Sequence, residues 1–88
     1  MHEDLATRRR RAAYRAWHRG TKEMDWMLGR FADSALTAMT AETLASFERL
    51  LAMPDPDLQQ MLLHPEIAAA PAALVELVAR LRAFHGLG

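Results

Sequence analysis

Cysteine is absent from this 88-residue chain. That removes disulfides, thiolate metal sites and thiol nucleophiles together, and it is compatible with a reducing compartment. Proline and glycine are sparse, four of each, and they mark stops between segments without forming a flexible linker or low-complexity stretch. Serines and threonines are few, with no nucleophile elbow and no glycine-rich phosphate loop. None of the four histidines, His2, His18, His64 and His85, stands four residues from another, so a helical His pair for a metal is missing. No apolar run approaches the ~20 residues that cross a bilayer. The arginines Arg8 to Arg11 invite comparison with a twin-arginine signal, but Arg15, His18, Arg19 and Lys22 interrupt the apolar segment that would have to follow. These absences lead to the expectation of no enzyme activity, no metal, no membrane insertion and a cytoplasmic, bacterial setting.

Net charge is also lacking, since eleven cations balance eleven acids. The balance is uneven along the chain. Residues 1–30 hold eight Arg or Lys against four acids, and residues 31–88 hold three against seven. A basic first part and an acidic remainder make a dipole that can orient a partner during encounter. A dedicated nucleic-acid binder has a clear basic excess instead.

What is present is helical periodicity. The pattern predicts one all-α domain over residues 1–88, a compact five-helix bundle. The first helix runs from Leu5 to His18 with a thin apolar face of Leu5, Ala12, Ala13, Ala16 and Trp17, and Gly20 stops it. The second follows Thr21, a residue suited to capping, and runs to Ala35 with a stripe of Met24, Met27, Leu28, Phe31 and Ala35. Gly29 inside it costs up to ~1 kcal/mol relative to alanine, which a close helix crossing would explain. The third, Ala41 to Ala52, is capped by Thr40 and turns Leu44, Phe47, Leu50 and Leu51 inward. The fourth is short, with Asp55 as its cap, Pro56 at its first position and Pro65 as its stop. The fifth runs from Pro71 to His85 on Leu74, Leu77, Val78, Leu81 and Phe84.

Functional residues concentrate between Arg8 and Ala32. Spacings of 3, 4 and 4 stack Arg8, Arg11, Arg15 and Arg19 along one side of the first helix. The plain account of such a run is a solvated face. Against it, these cations repel one another, and the helix buries little on its other side. At the end of the stripe stands Arg19-Gly20-x-x-Glu23. Dipole effects account for an arginine at a helix end and a glutamate at a helix start, but not for opposite charges gathered at one tight corner beside a basic stripe. Trp17 and Trp26 flank that corner. Trp26 falls between the core positions of the second helix, and a partly covered tryptophan beside arginines has the composition of a binding hot spot.

At this corner the chain resembles the SdhE-type flavinylation factors, also called succinate dehydrogenase assembly factor 2. The resemblance is carried by Arg19-Gly20-x-x-Glu23, Asp25 and Leu28-Gly29-Arg30-Phe31-Ala32. Downstream it continues through Phe47 to Leu51 and the turn Pro54-Asp55-Pro56-Asp57-Leu58. It implies a small helical bundle that binds the flavoprotein subunit of succinate dehydrogenase, with fumarate reductase as a further candidate, and promotes covalent attachment of FAD to a histidine of that subunit. FAD would then be the partner's cofactor, with none held stably by this chain. Carried over, the partner-binding residues are Arg19, Gly20, Glu23 and Asp25, joined on the residue reading by Arg8, Arg11, Arg15 and Trp26. Arg19 would reach a carboxylate or carbonyl of the flavoprotein. The chain departs from the family in having His18 where a basic residue often precedes the motif, and Met61 where many members have tryptophan. The rival reading is a small helical nucleic-acid-binding module with Arg8, Arg11 and Arg15 on phosphates, whose affinity would fall with salt at a log–log slope of about −0.9 per neutralised phosphate. A generic adaptor unconnected with flavin is a third.

Overall fold

The computed structural model describes residues 3–88, which leaves His2 outside the described residues. The helices come in the order α1 (Leu5–Trp17), α2 (Lys22–Ala35), α3 (Ala41–Leu51), α4 (Asp55–Leu63) and α5 (Val75–Phe84), with single 3-10 turns at Leu36–Ala38 and Ala72–Leu74. There is no strand among the described residues. Local chemistry sets most boundaries. Asp4 accepts the Thr7 amide at 2.7 Å, Thr21 accepts that of Met24 at 3.2 Å, and Thr40 accepts that of Thr43 at 3.1 Å. Each satisfies an amide that the first turn of a helix leaves without a partner. Two boundaries differ from expectation. Asp55 does not cap α4: Pro54 occupies the cap position, without a side-chain bond, and Asp55 lies in the first turn. The fifth helix begins at Val75, because the residues after Pro71 close a tighter 3-10 turn first.

One apolar cluster joins all five helices. Met24, Met27, Leu28 and Phe31 of α2 meet Leu44, Phe47, Leu50 and Leu51 of α3, with Leu58, Met61 and Leu62 of α4 and Leu77, Val78 and Leu81 of α5. Met61 is thus a core side chain, and methionine fills irregular interior space well. The Cα radius of gyration, 12.3 Å, equals the roughly 12 Å expected of a well-packed domain this size.

The α1–α2 pair positions the site. Helix α1 buries only Ala12 and Ala16 fully, and such small side chains bring it close to α2. At the end of α1 the Trp17 indole covers Gly29. A Cβ on that glycine would lie 2.2 Å from Trp17 Cδ2. The close crossing expected from the sequence is therefore a tryptophan laid on backbone, with its Nε1 donating to Asp33 Oδ1 at 3.1 Å. Phe84 belongs to the fifth stripe only in part. It is 43% exposed, and it meets Phe31 edge-on at 5.6 Å between centroids.

Candidate functional site

The corner between α1 and α2 is built from three residues that satisfy each other. Gly20 has φ +119°, a conformation that side-chain-bearing residues rarely adopt, and it lets the chain reverse between the helices. Asp25, in the first turn of α2, reaches back with Oδ1 to accept the Arg19 amide at 2.5 Å and the Gly20 amide at 3.3 Å. Carboxylate, turn amides and helix N-terminus thus meet with favourable charge.

The Arg19 side chain turns from this corner to the junction of α3 and α4 beside it. Its Nε donates to Asp55 Oδ1 at 2.8 Å, its Nη1 to the Leu51 carbonyl and its Nη2 to the Met53 carbonyl at 2.6 Å. The Leu51 carbonyl is at the end of α3, where helix carbonyls run out of intrahelical donors, and that of Met53 lies in the turn just after it. The side chain is only 10% exposed, and that of Asp55 21%. The expectation that Arg19 reaches outward to a partner is therefore corrected. All three of its nitrogens are engaged inside the molecule, and the planar fork matches a carboxylate and two carbonyls at once.

The arginine stripe is also less bare than its spacing suggested. Arg8 binds Glu48 of α3 through two hydrogen bonds, Nη2 to Oε1 at 2.7 Å and Nε to Oε2 at 3.3 Å. Arg11 forms a two-pronged pair with Glu3. The bond to Glu48 raises the Arg8 pKa and the bond to Glu3 raises that of Arg11, while Glu3 is held below the usual carboxylate range by its bond from Arg11. Arg15 is exposed. Beside it the exposed Tyr14 ring stacks on His18 at 3.9 Å, and His18 Nδ1 lies 2.7 Å from the Tyr14 carbonyl. A continuous bare basic wall is therefore not what this face presents, because acidic neighbours occupy Arg8 and Arg11.

Two further outward-facing groups are on α2. Glu23 is exposed and Trp26 is 50% exposed. Three residues apart on one helix, they share a face. Trp26 is backed by His85 from the end of α5, with ring centroids 4.8 Å apart, and His85 Nε2 lies 2.8 Å from the Met27 carbonyl. The result is an apolar ring held at a fixed attitude, with a carboxylate one turn before it and Phe84 to the side of His85. Among the described residues no group of His, Asp or Glu gathers in a way that would hold a metal ion, and no helix is long and apolar enough to cross a membrane.

Sequence reasoning missed three of these participants. The sequence suggests Asp55 as a helix cap and His85 only as the end of the fifth helix, and it gives Arg9 no role of its own. Arg9 donates from Nε to the Leu36 carbonyl at 3.1 Å and from Nη2 to the Met39 carbonyl at 2.9 Å, fastening α1 to the turn after α2. Its signal was available, because Arg9 shares the inward face of Leu5, Ala12 and Ala16 by spacing.

The comparisons with known proteins meet the geometry here. A family model described as flavinator of succinate dehydrogenase matches residues 10–85, a span that contains the corner, Asp55 and His85. A relative from Acetobacter pasteurianus (strain NBRC 105184 / IFO 3283-01), named FAD assembly factor SdhE, is 45% identical over 73 residues, covering 78% of this chain and 67% of its own.

Proposed function

Because the chain belongs to the family of flavinators of succinate dehydrogenase, we propose that it binds the flavoprotein subunit of that enzyme and promotes covalent attachment of FAD there. It works as an assembly factor and performs no catalysis of its own. Its contribution is orientation: it holds the flavoprotein in a conformation in which the acceptor histidine and the flavin are aligned. The flavin and the partner supply the chemistry, and the factor keeps no flavin of its own. The site of action is the cytoplasm, and a related fumarate reductase flavoprotein is a second client.

The observation that supports this reading best is the division of labour at the corner. Arg19, Gly20 and Asp25 are engaged in shaping it, and Glu23 and Trp26 project from it. Tryptophan is among the residue types enriched in the few positions that carry most protein–protein binding energy. Arg15 contributes from the rim, where its charge acts mainly on the association rate. The nucleic-acid alternative loses ground because Arg8 and Arg11 already have carboxylate partners.

The test is titration calorimetry of the purified chain against the purified flavoprotein subunit. Binding by the wild type, weakened at least tenfold in Trp26→Ala and in Glu23→Ala without loss of helical signal, is the expected result. Undiminished affinity in both folded variants would move the docking surface elsewhere.

A further inference from the structure

The turn Asp55-Pro56-Asp57-Leu58 is a second cluster of chemistry-bearing residues with no part in the docking surface just described. It lies 36 residues from Arg19 in sequence, yet the Arg19–Asp55 pair joins the two. We propose that Asp55 is a positioning residue for docking. Held against α4, it fixes Arg19, and through Arg19 the attitude of the corner that presents Glu23 and Trp26. The inference rests on the docking reading above and adds to it a residue that touches no partner.

The geometry carries it in three steps. First, Asp55 stands in the first turn of α4, one residue past the cap position held by Pro54, where a carboxylate suits the positive end of the helix dipole. From there its Oδ1 accepts a hydrogen bond from Arg19 Nε at 2.8 Å. Second, the corner is gripped from two directions. Asp25 of α2 holds its backbone, and Asp55 with the Leu51 and Met53 carbonyls holds its side chain. One grip fixes the turn relative to α2, and the other fixes it relative to the α3–α4 junction. Third, the second grip is mostly shielded from water, with 10% and 21% exposure, so it is weakened little by salt compared with the exposed pairs of α1. The bend at Gly20 leaves room for the carboxylate: the nearest approach of a Cβ there would be Asp55 Oδ2 at 4.0 Å.

Two measurements separate this role from a general loss of structure. The first uses the chain alone. In Asp55→Asn, which keeps the shape and loses the charge, the Arg19 and Gly20 amides should exchange with solvent faster than in the wild type, while the amides in the middle of α2 and α3 keep their protection. Unchanged exchange at Arg19 and Gly20 would overturn the positioning role, whatever the partner proves to be. The second is a double-mutant cycle on flavoprotein affinity. Asp55→Asn should weaken binding by roughly tenfold, the loss of one charged hydrogen bond's worth of positioning. In that background Glu23→Ala should cost clearly less than it does alone, because Glu23 no longer stands where the partner needs it. Full additivity would contradict the proposal. So would tighter binding by Asp55→Asn, which would make Asp55 a latch that competes with the partner for Arg19. Absence of wild-type binding to the flavoprotein would defeat the docking reading, and the exchange measurement would still decide the role of Asp55 within the fold.

Discussion

Arg8 and Arg19 belong to one stripe by spacing and to two different media by structure. Arg8 lies along the outside of α1 and meets Glu48 with both side chains partly in water, 23% and 33% exposed. Arg19 leaves the end of the same helix, turns inward and is engaged at all three nitrogens by groups from α3 and α4. Pairs of the first kind add little to stability, since water and salt compete for both partners. The second kind is costly to break, because a shielded carboxylate and two carbonyls lose their donor together. A run of arginines is therefore a mixture of solvated charge and internal strut.

The largest expected effect comes from removing the strut. Arg19→Ala should lower stability by on the order of 2–3 kcal/mol, a fall of roughly 10–20 °C in the melting temperature of a domain this size, read by thermal denaturation. Arg19→Lys should recover only part, since an ammonium lacks the planar fork. Next comes the surface on which the corner rests. Gly29→Ala would gain up to ~1 kcal/mol on an isolated helix, but here the Trp17 ring occupies the space. The net should be a loss of about 1–3 kcal/mol, and Trp17 fluorescence should report the displaced indole. Gly20→Ala should cost about 1–2 kcal/mol through its backbone conformation, seen as a lower urea midpoint with an unchanged slope.

The stripe itself should be nearly silent. Arg8→Ala and Arg11→Ala should leave the melting temperature within the scatter of replicate scans, and a shift as large as that of Arg19→Ala would erase the contrast. Smallest of all is a response to acid at the start of α1. The Thr7 amide bonded to the Asp4 carboxylate, and Arg11 bonded to that of Glu3, hold both groups below their ordinary values. Their support is complete above the unfolded-state carboxylate value and fades as pH falls through the depressed folded values. Amide exchange at Thr7 should quicken over that acidic range, before the centre of α1 does.

Much of this architecture is legible in the sequence because its determinants are local. Thr21 and Thr40 cap the helices they precede, and the stripe of α3 names its buried residues; that of α2 does so except at its end, where Ala32 is buried and Ala35 only half-buried. Gly29, too costly for an isolated helix, signals the crossing. The turn at Gly20 is legible in the sequence, and the direction of the Arg19 side chain is not. Nothing near Arg19 in sequence says that its guanidinium turns inward, since Leu51, Met53 and Asp55 reach it only once α3 and α4 have packed. Asp55 is no cap because the helix starts one residue earlier than the pattern suggests, with Pro54 at the cap position, and its pairing with Arg19 has no local signal. Trp26 was read more successfully, as its angular position on α2 alone puts it opposite the core.

The central claim is that this chain serves flavin attachment to succinate dehydrogenase through the corner that Glu23 and Trp26 project from. Its most direct test is in-gel flavin fluorescence of the denatured flavoprotein subunit from cells lacking the gene, complemented with wild type or with Glu23→Ala. The account predicts that covalent flavin is lost without the gene, returns with the wild type and stays low with the variant at equal protein level. Equal fluorescence with and without the gene would contradict it.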